Sequence, residues 1–118
     1  MIEIYGLKTC DSCRKALQQL QACGAAHRFH DLRADGLPAG HLARWLDAVG
    51  WESLLNRRST TWRALPEVEK AGLDAVSAGR LLARHPTLIK RPVFEAAGQV
   101  IVGFAPPQQK ALRALLAG

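Results

Sequence analysis

The sequence predicts a mixed α/β fold in which a four-stranded mixed sheet is interrupted by a helical insertion. Short segments with strand character lie only toward the two ends of the chain, near residues 2–5, 27–32 and 92–103. Between them, apolar residues recur with the period of a helix. Residues 1–118 therefore read as one domain, with a sheet-forming core at 1–35 and 88–118 and a helical insertion at 36–87. A chain of this length can bury about two-thirds of its unfolded surface in one core.

In Ile2-Glu3-Ile4-Tyr5 the side chains alternate, and Gly6 stops the pattern, which predicts a first strand. Cys13, Ala16, Leu17 and Leu20 then share one face of a helix that starts after Cys10 and closes at Cys23-Gly24. The segment His27 to Leu32 suits a second strand, so the first 32 residues form a βαβ unit. In the insertion, Leu42, Trp45, Leu46 and Val49 predict a helix closed by Gly50, and Trp51 to Leu55 a short further turn. Thr61 to Gly72 suits short helical pieces around Pro66. Ser77 is expected to cap the next helix, with Val76 and Leu81 placed for a hydrophobic staple, and that helix ends before Pro86. Pro92 to Glu95, a turn at Ala97-Gly98 and Gln99 to Gly103 predict an antiparallel hairpin. Pro106-Pro107 opens a last helix with Ala111, Leu112, Leu115 and Leu116 on one face. This order of elements is a thioredoxin-like plan.

Sixteen Lys and Arg, eleven of them Arg, against ten Asp and Glu give a net charge of +6. The charge suits an anionic partner and forked recognition of oxyanions. No run of cations exceeds two residues and no aromatic-studded basic stretch is present, so direct nucleic-acid binding is not expected. Three cysteines, an odd count, and the absence of a long apolar run argue against a disulfide framework or a membrane span. The chain also opens directly on a strand pattern rather than on a charged leader. A cytoplasmic protein is expected, and there a C-x-x-C is more often catalytic or metal-binding than structural.

That motif is Cys10-Asp11-Ser12-Cys13, at the junction of the first strand and the first helix. A cysteine reacts as its thiolate, and a helix start offers unpaired N–H groups and the positive end of the dipole to an anion. Lys8, Arg14 and Lys15 lie close in sequence and add positive potential. Cys10 is accordingly the candidate nucleophile. Cys13, one turn on and facing the helix's apolar side, is the candidate resolving thiol, within the Cα separation a disulfide requires. Cys10, Cys13, Cys23 and His27 also have a tolerable zinc spacing, but an intact helix would hold Cys23 more than about a dozen ångströms from Cys10. A chance C-x-x-C is disfavoured by its place in the βαβ unit. No metal and no bound cofactor is expected.

With these residues placed, the chain resembles the arsenate reductase, Spx and YffB group, and within it the YffB branch. The stretches that carry the likeness are IEIYGLKTCDSCRKAL, RFHDLRADGL, GWESLLNRRSTTWRAL, HPTLIKRPV and the late Gly103-Phe104. The resemblance implies a thioredoxin fold with a helical insertion. It implies that Cys10 is the nucleophile, that Arg91 precedes a cis proline at Pro92, and that Arg58 contributes to anion binding. Arsenate reductases of this group use a third, late arginine, where this sequence has Phe104, and a single cysteine. The second thiol, Cys13, matches Spx instead.

Three functions follow from these observations. The first is a thiol-disulfide reductase using glutathione as co-substrate, with Cys10, Cys13 and Arg91 catalytic and Lys8, Arg58 and Pro92 at the substrate, and with glutaredoxin as a further partner. The second is an Spx-like redox regulator that binds RNA polymerase. The third is arsenate reduction linked to glutathione and glutaredoxin. A monomer is expected in each case.

Overall fold

The computed structural model describes residues 1–117. It divides into two compact units, one made of Met1–Asp35 with residues 91–117 and the other of Gly36–Lys90.

In the first unit, β1 (Ile2–Gly6), α1 (Asp11–Ala22) and β2 (His27–Asp31) are followed, beyond the helical unit, by β3 (Val93–Ala96), β4 (Gln99–Val102) and α7 (Pro106–Ala117). The sheet order is β2-β1-β3-β4. β1 runs parallel to β2 and antiparallel to β3, and β3 pairs antiparallel with β4, the thioredoxin-like arrangement. One row of paired side chains, Phe29, Ile4, Phe94 and Ile101, crosses all four strands. Ile2, Ile4, Phe94 and Ile101 form one core with Ala16 and Leu20 of α1 and Leu112 of α7, so both helices cover the same sheet face. Of the four residues expected to form α7's apolar face, Leu112 is buried and Leu115 packs on this core, whereas Ala111 and Leu116 are exposed. On a helix, i and i+3 share a face that their immediate neighbours leave.

Local chemistry sets the ends of these elements. α1 ends in a Schellman motif: the Ala25 N–H donates to Leu20 O (3.0 Å) and the Gly24 N–H to Gln21 O (3.2 Å). Gly24 supplies the left-handed φ of +71° that this closure needs. The hairpin turn places both Ala97 and Gly98 at positive φ, the two-residue geometry that matches strand twist.

In the second unit, α2 (His41–Val49), α3 (Trp51–Leu54), α4 (Thr60–Ala64), α5 (Glu67–Lys70) and α6 (Ala75–Arg84) precede a 3-10 turn at Pro86–Leu88. Trp45, Leu54, Leu55, Ala78, Leu81, Leu82, Leu88 and Ile89 are buried. A short bridge between Leu55 and Ile89, with the Asn56 N–H donating to Leu88 O (2.8 Å) and the Lys90 N–H to Leu54 O (2.7 Å), ties the end of this unit back to α3.

The start of α6 differs from expectation. The N-cap is Asp74, and Ser77 is the third helical residue; the Ser77 N–H donates to Asp74 Oδ1 (2.8 Å) and the Asp74 N–H to Ser77 Oγ (2.9 Å). A carboxylate and a hydroxyl three apart satisfy two otherwise unpaired N–H groups, which fixes the start one turn earlier than Ser77 alone would. Val76 then lies inside the helix and is 63% exposed, so it does not form the expected staple with Leu81.

Trp51 and Trp62 each face a cation. The Arg57 guanidinium lies 5.7 Å and 6.0 Å from their ring centroids, and the Lys70 ammonium 5.4 Å from that of Trp62. These are cation–π distances.

Candidate active site

Gly6 ends β1, and the chain then turns tightly, the Cys10 N–H donating to Leu7 O at 3.0 Å. That turn sets Cys10 as the N-cap of α1, with extended backbone angles. Its carbonyl accepts from the Arg14 N–H (3.0 Å), while its side chain makes no conventional capping bond. The sulfur is partly exposed. Partial burial raises the thiol pKa, but the Cys13 backbone N–H, the Cys13 thiol and the Arg91 guanidinium outweigh it and leave Cys10 below its ordinary value.

Cys13 has the opposite character. It is fully buried, and its thiol is pushed up to about 12, first by burial and further by the neighbouring Cys10 charge, against lowering by the Leu7 N–H and Arg91. At neutral pH the pair is therefore one activated sulfur and one held protonated beside it. Gly6 is what admits the second: a Cβ there would collide with Cys13 Sγ. Sequence reading took Gly6 only as the end of a strand. A glycine seven residues before the second cysteine, at the end of the strand that feeds the helix, is the signal for this close approach.

Arg91, the first residue of the returning chain, acts on Cys10 by hydrogen bond and by charge. The Arg91–Pro92 peptide is cis, and Pro92 is fully buried, its carbonyl accepting from the Gly103 N–H at 2.8 Å. Arg14 and Lys15, in contrast, are exposed and face Asp11 (3.6 Å and 3.2 Å). Their charge is directed along the helix surface rather than at the sulfur. The Lys8 side chain is exposed, and its backbone N–H donates to Asp31 Oδ2 at 3.0 Å.

Arg58 belongs to the helical unit, where it is exposed in a turn and its N–H donates to Asn56 Oδ1 at 3.0 Å. In the same turn Ser59 caps α4, accepting from the Trp62 N–H (3.1 Å).

Cys23 and His27, the other members of the zinc spacing, face local carbonyls. Cys23 Sγ lies 3.5 Å from Leu20 O and His27 Nδ1 2.8 Å from Ala25 O, with the whole of α1 between Cys10 and Cys23. Phe104 packs on the core and against Phe94, with ring centroids 6.1 Å apart.

His30 bonds through Nε2 to Glu3 Oε2 (2.6 Å) and stacks on Tyr5, with ring centroids 4.6 Å apart. Parallel register places His30 beside Tyr5 on the face that Glu3 also occupies, a pairing invisible until the strands are aligned.

A profile of the ArsC family matches residues 5–112. Among curated proteins, an uncharacterized protein of Haemophilus influenzae is 45% identical over 104 residues, covering 88% of this chain and 91% of its own length. The global transcriptional regulator Spx of Streptococcus mutans is 24% identical over 106 residues, covering 88% of this chain and 77% of its own. Among solved structures, the YFFB protein superposes with a TM-score of 0.90 at 42% identity, over 98% of this chain and 99% of its own. An arsenate reductase (ArsC) related protein from Brucella melitensis gives 0.75 at 45% identity, over 97% and 95%.

Proposed function

Since this chain belongs to the ArsC family, we propose that it is a thiol-disulfide reductase that draws its electrons from glutathione, with Cys10 as nucleophile and Cys13 as resolving thiol. One observation carries the reading: Cys10 is activated at a helix start beside Arg91, while a fully buried thiol is held in reserve next to it.

The chemistry follows from the two sulfurs. The Cys10 thiolate attacks one sulfur of a substrate disulfide, forms a mixed disulfide and expels the other sulfur as a thiolate. Consuming Cys10 in this way removes the negative charge that helps to keep Cys13 protonated. Cys13 then passes its proton to the departing thiolate or to water and attacks Cys10 Sγ. The bound half of the substrate leaves as a thiolate, and the Cys10–Cys13 disulfide remains. Two glutathione thiolates reduce that disulfide and depart as oxidised glutathione, directly or through glutaredoxin. Arg91 holds the attacking anion, and Lys8 supplies charge for a carboxylate of glutathione. The Arg91–Pro92 turn, just before β3, is where the peptide part of the substrate would lie. The cycle needs a reducing compartment, which favours the cytoplasm.

Mass spectrometry after exposure to oxidised glutathione, with a disulfide-reduction assay alongside, tests this. Cys10→Ser should lose adduct and activity together, while Cys13→Ser should accumulate a Cys10–glutathione adduct and keep part of its monothiol activity. Wild-type activity in Cys10→Ser would sink the proposal.

A second reading, a redox regulator that contacts RNA polymerase, is favoured by the similarity to Spx and by the C-x-x-C itself. A pull-down with RNA polymerase from oxidised and reduced protein separates the two, and equal, background-level retention removes the regulator. Arsenate is disfavoured as a substrate because Phe104, an apolar core side chain, stands where the third arginine would be needed to match a buried oxyanion.

A further inference from the structure

We infer that Asp31 is the positioning residue of the cysteine loop, its carboxylate taking the place of the next rung of the β1–β2 ladder. This rests on the reading of Cys10 as the nucleophile and adds the residue that holds its loop.

Gly6 and Asp31 are the last paired residues of the parallel ladder. Beyond them β1 turns toward α1 and β2 turns away, so backbone can no longer meet backbone across the gap. One backbone bond still forms, from the Leu32 N–H to Gly6 O at 2.8 Å. The next donor on the β1 side, the Lys8 N–H, is met by Asp31 Oδ2 at 3.0 Å. On its other oxygen, Oδ1, the same carboxylate accepts from the Arg33 N–H (2.8 Å) and the Ala34 N–H (2.9 Å), closing the turn after β2. The Asp35 N–H to Asp31 O bond (2.9 Å) reinforces that turn.

The chain on both sides of Leu7 is thus tied to the end of β2. Leu7 is the residue whose N–H acts on Cys13 and whose carbonyl closes the turn onto Cys10. Fixing residues 6 and 8 therefore fixes how both sulfurs meet the backbone around them.

Three N–H groups converge on two oxygens of a side chain only 6% exposed. An ionised carboxylate is the one short side chain that offers acceptors on both oxygens and no donor. The Ala34 and Lys8 N–H groups, together outweighing burial, hold its pKa below the ordinary carboxylate value. An asparagine could keep its oxygen toward Arg33 and Ala34 but would turn an NH2 group against the Lys8 N–H. Asp31→Asn therefore separates the clamp from the turn.

The experiment measures amide exchange at Lys8, Arg33 and Ala34, together with the rate of Cys10 alkylation against pH, in wild type and Asp31→Asn. The Lys8 amide should exchange about tenfold faster in the variant, as expected for one lost bond to a charged acceptor, while Arg33 and Ala34 keep their protection. Cys10 alkylation at neutral pH should slow about threefold as the thiolate fraction falls. Unchanged Lys8 exchange, or unchanged Cys10 alkylation with Lys8 released, overturns the inference. Should the variant not fold, the wild-type amide decides alone: protection of Lys8 supports the clamp and open-chain exchange removes it. Should wild-type Cys10 titrate as an ordinary thiol, the reductase reading fails, while the Lys8 comparison still decides for or against the clamp.

Discussion

At Cys10 the cation that acts on the sulfur is Arg91, seventy-eight residues beyond Cys13 in the chain. Arg14 and Lys15, its neighbours in sequence, are engaged by Asp11 at the surface. Arg91→Ala should therefore slow Cys10 alkylation at neutral pH by about tenfold, whereas Arg14→Ala should change it by less than about twofold. Iodoacetamide kinetics across pH check this, and equal effects from the two variants would move the activating charge away from Arg91. Sequence reading located both cysteines and ranked them, because a helix start and an apolar helix face are local properties. It could not see that Gly6 makes room for Cys13 Sγ or that Asp31 anchors Lys8. Those contacts join residues that come together only when β2 lies beside β1.

Among the elements, strands and long helices were legible from periodicity, and their ends followed from side-chain chemistry that is easy to misplace by a turn. The start of α6 is the example. Asp74 and Ser77 are both good capping residues three apart, and either alone suits the N-cap. Their reciprocal bonds assign the cap to Asp74 and the third helical position to Ser77. Asp74→Ala should accordingly lower the denaturant midpoint more than Ser77→Ala, which removes only the returning half of the box and should cost about 0.5–1 kcal/mol. Urea titrations of the two variants check the ranking, and the reverse order would restore Ser77 as the cap. The same limit explains α7, where the apolar run Ala-Leu-Arg-Ala-Leu-Leu offers two overlapping faces. The sheet core selects the one through Leu112 and Leu115.

For the whole molecule, the two thiols give stability a pH dependence of opposite sign. Cys10 has a lowered pKa in the folded state, so folding gains as pH rises from that value to the ordinary 9.0. Cys13 is raised from 9.0 to about 12, so its contribution is complete below 9.0 and is lost as pH climbs through that interval. At the acid end, the lowered pKa of Asp31 makes its contribution full above 3.8 and lost as pH falls through the folded value. Denaturant midpoints of the reduced protein measured from pH 9.0 to 11 should fall less steeply in Cys13→Ala than in wild type. Identical slopes would contradict the buried, protonated state of Cys13.

By itself the sequence determined the order of elements and ranked Cys10 as the candidate nucleophile, because periodicity, turn residues and a helix start act within a few residues. The tertiary structure alone decided what surrounds that sulfur. Parallel pairing of β1 with β2 brings Asp31 to Lys8, the returning chain brings Arg91 to Cys10, and close packing around Gly6 buries Cys13. Charge and hydrogen bonding at the site depend on distance in space, and the chain's own order does not contain those distances.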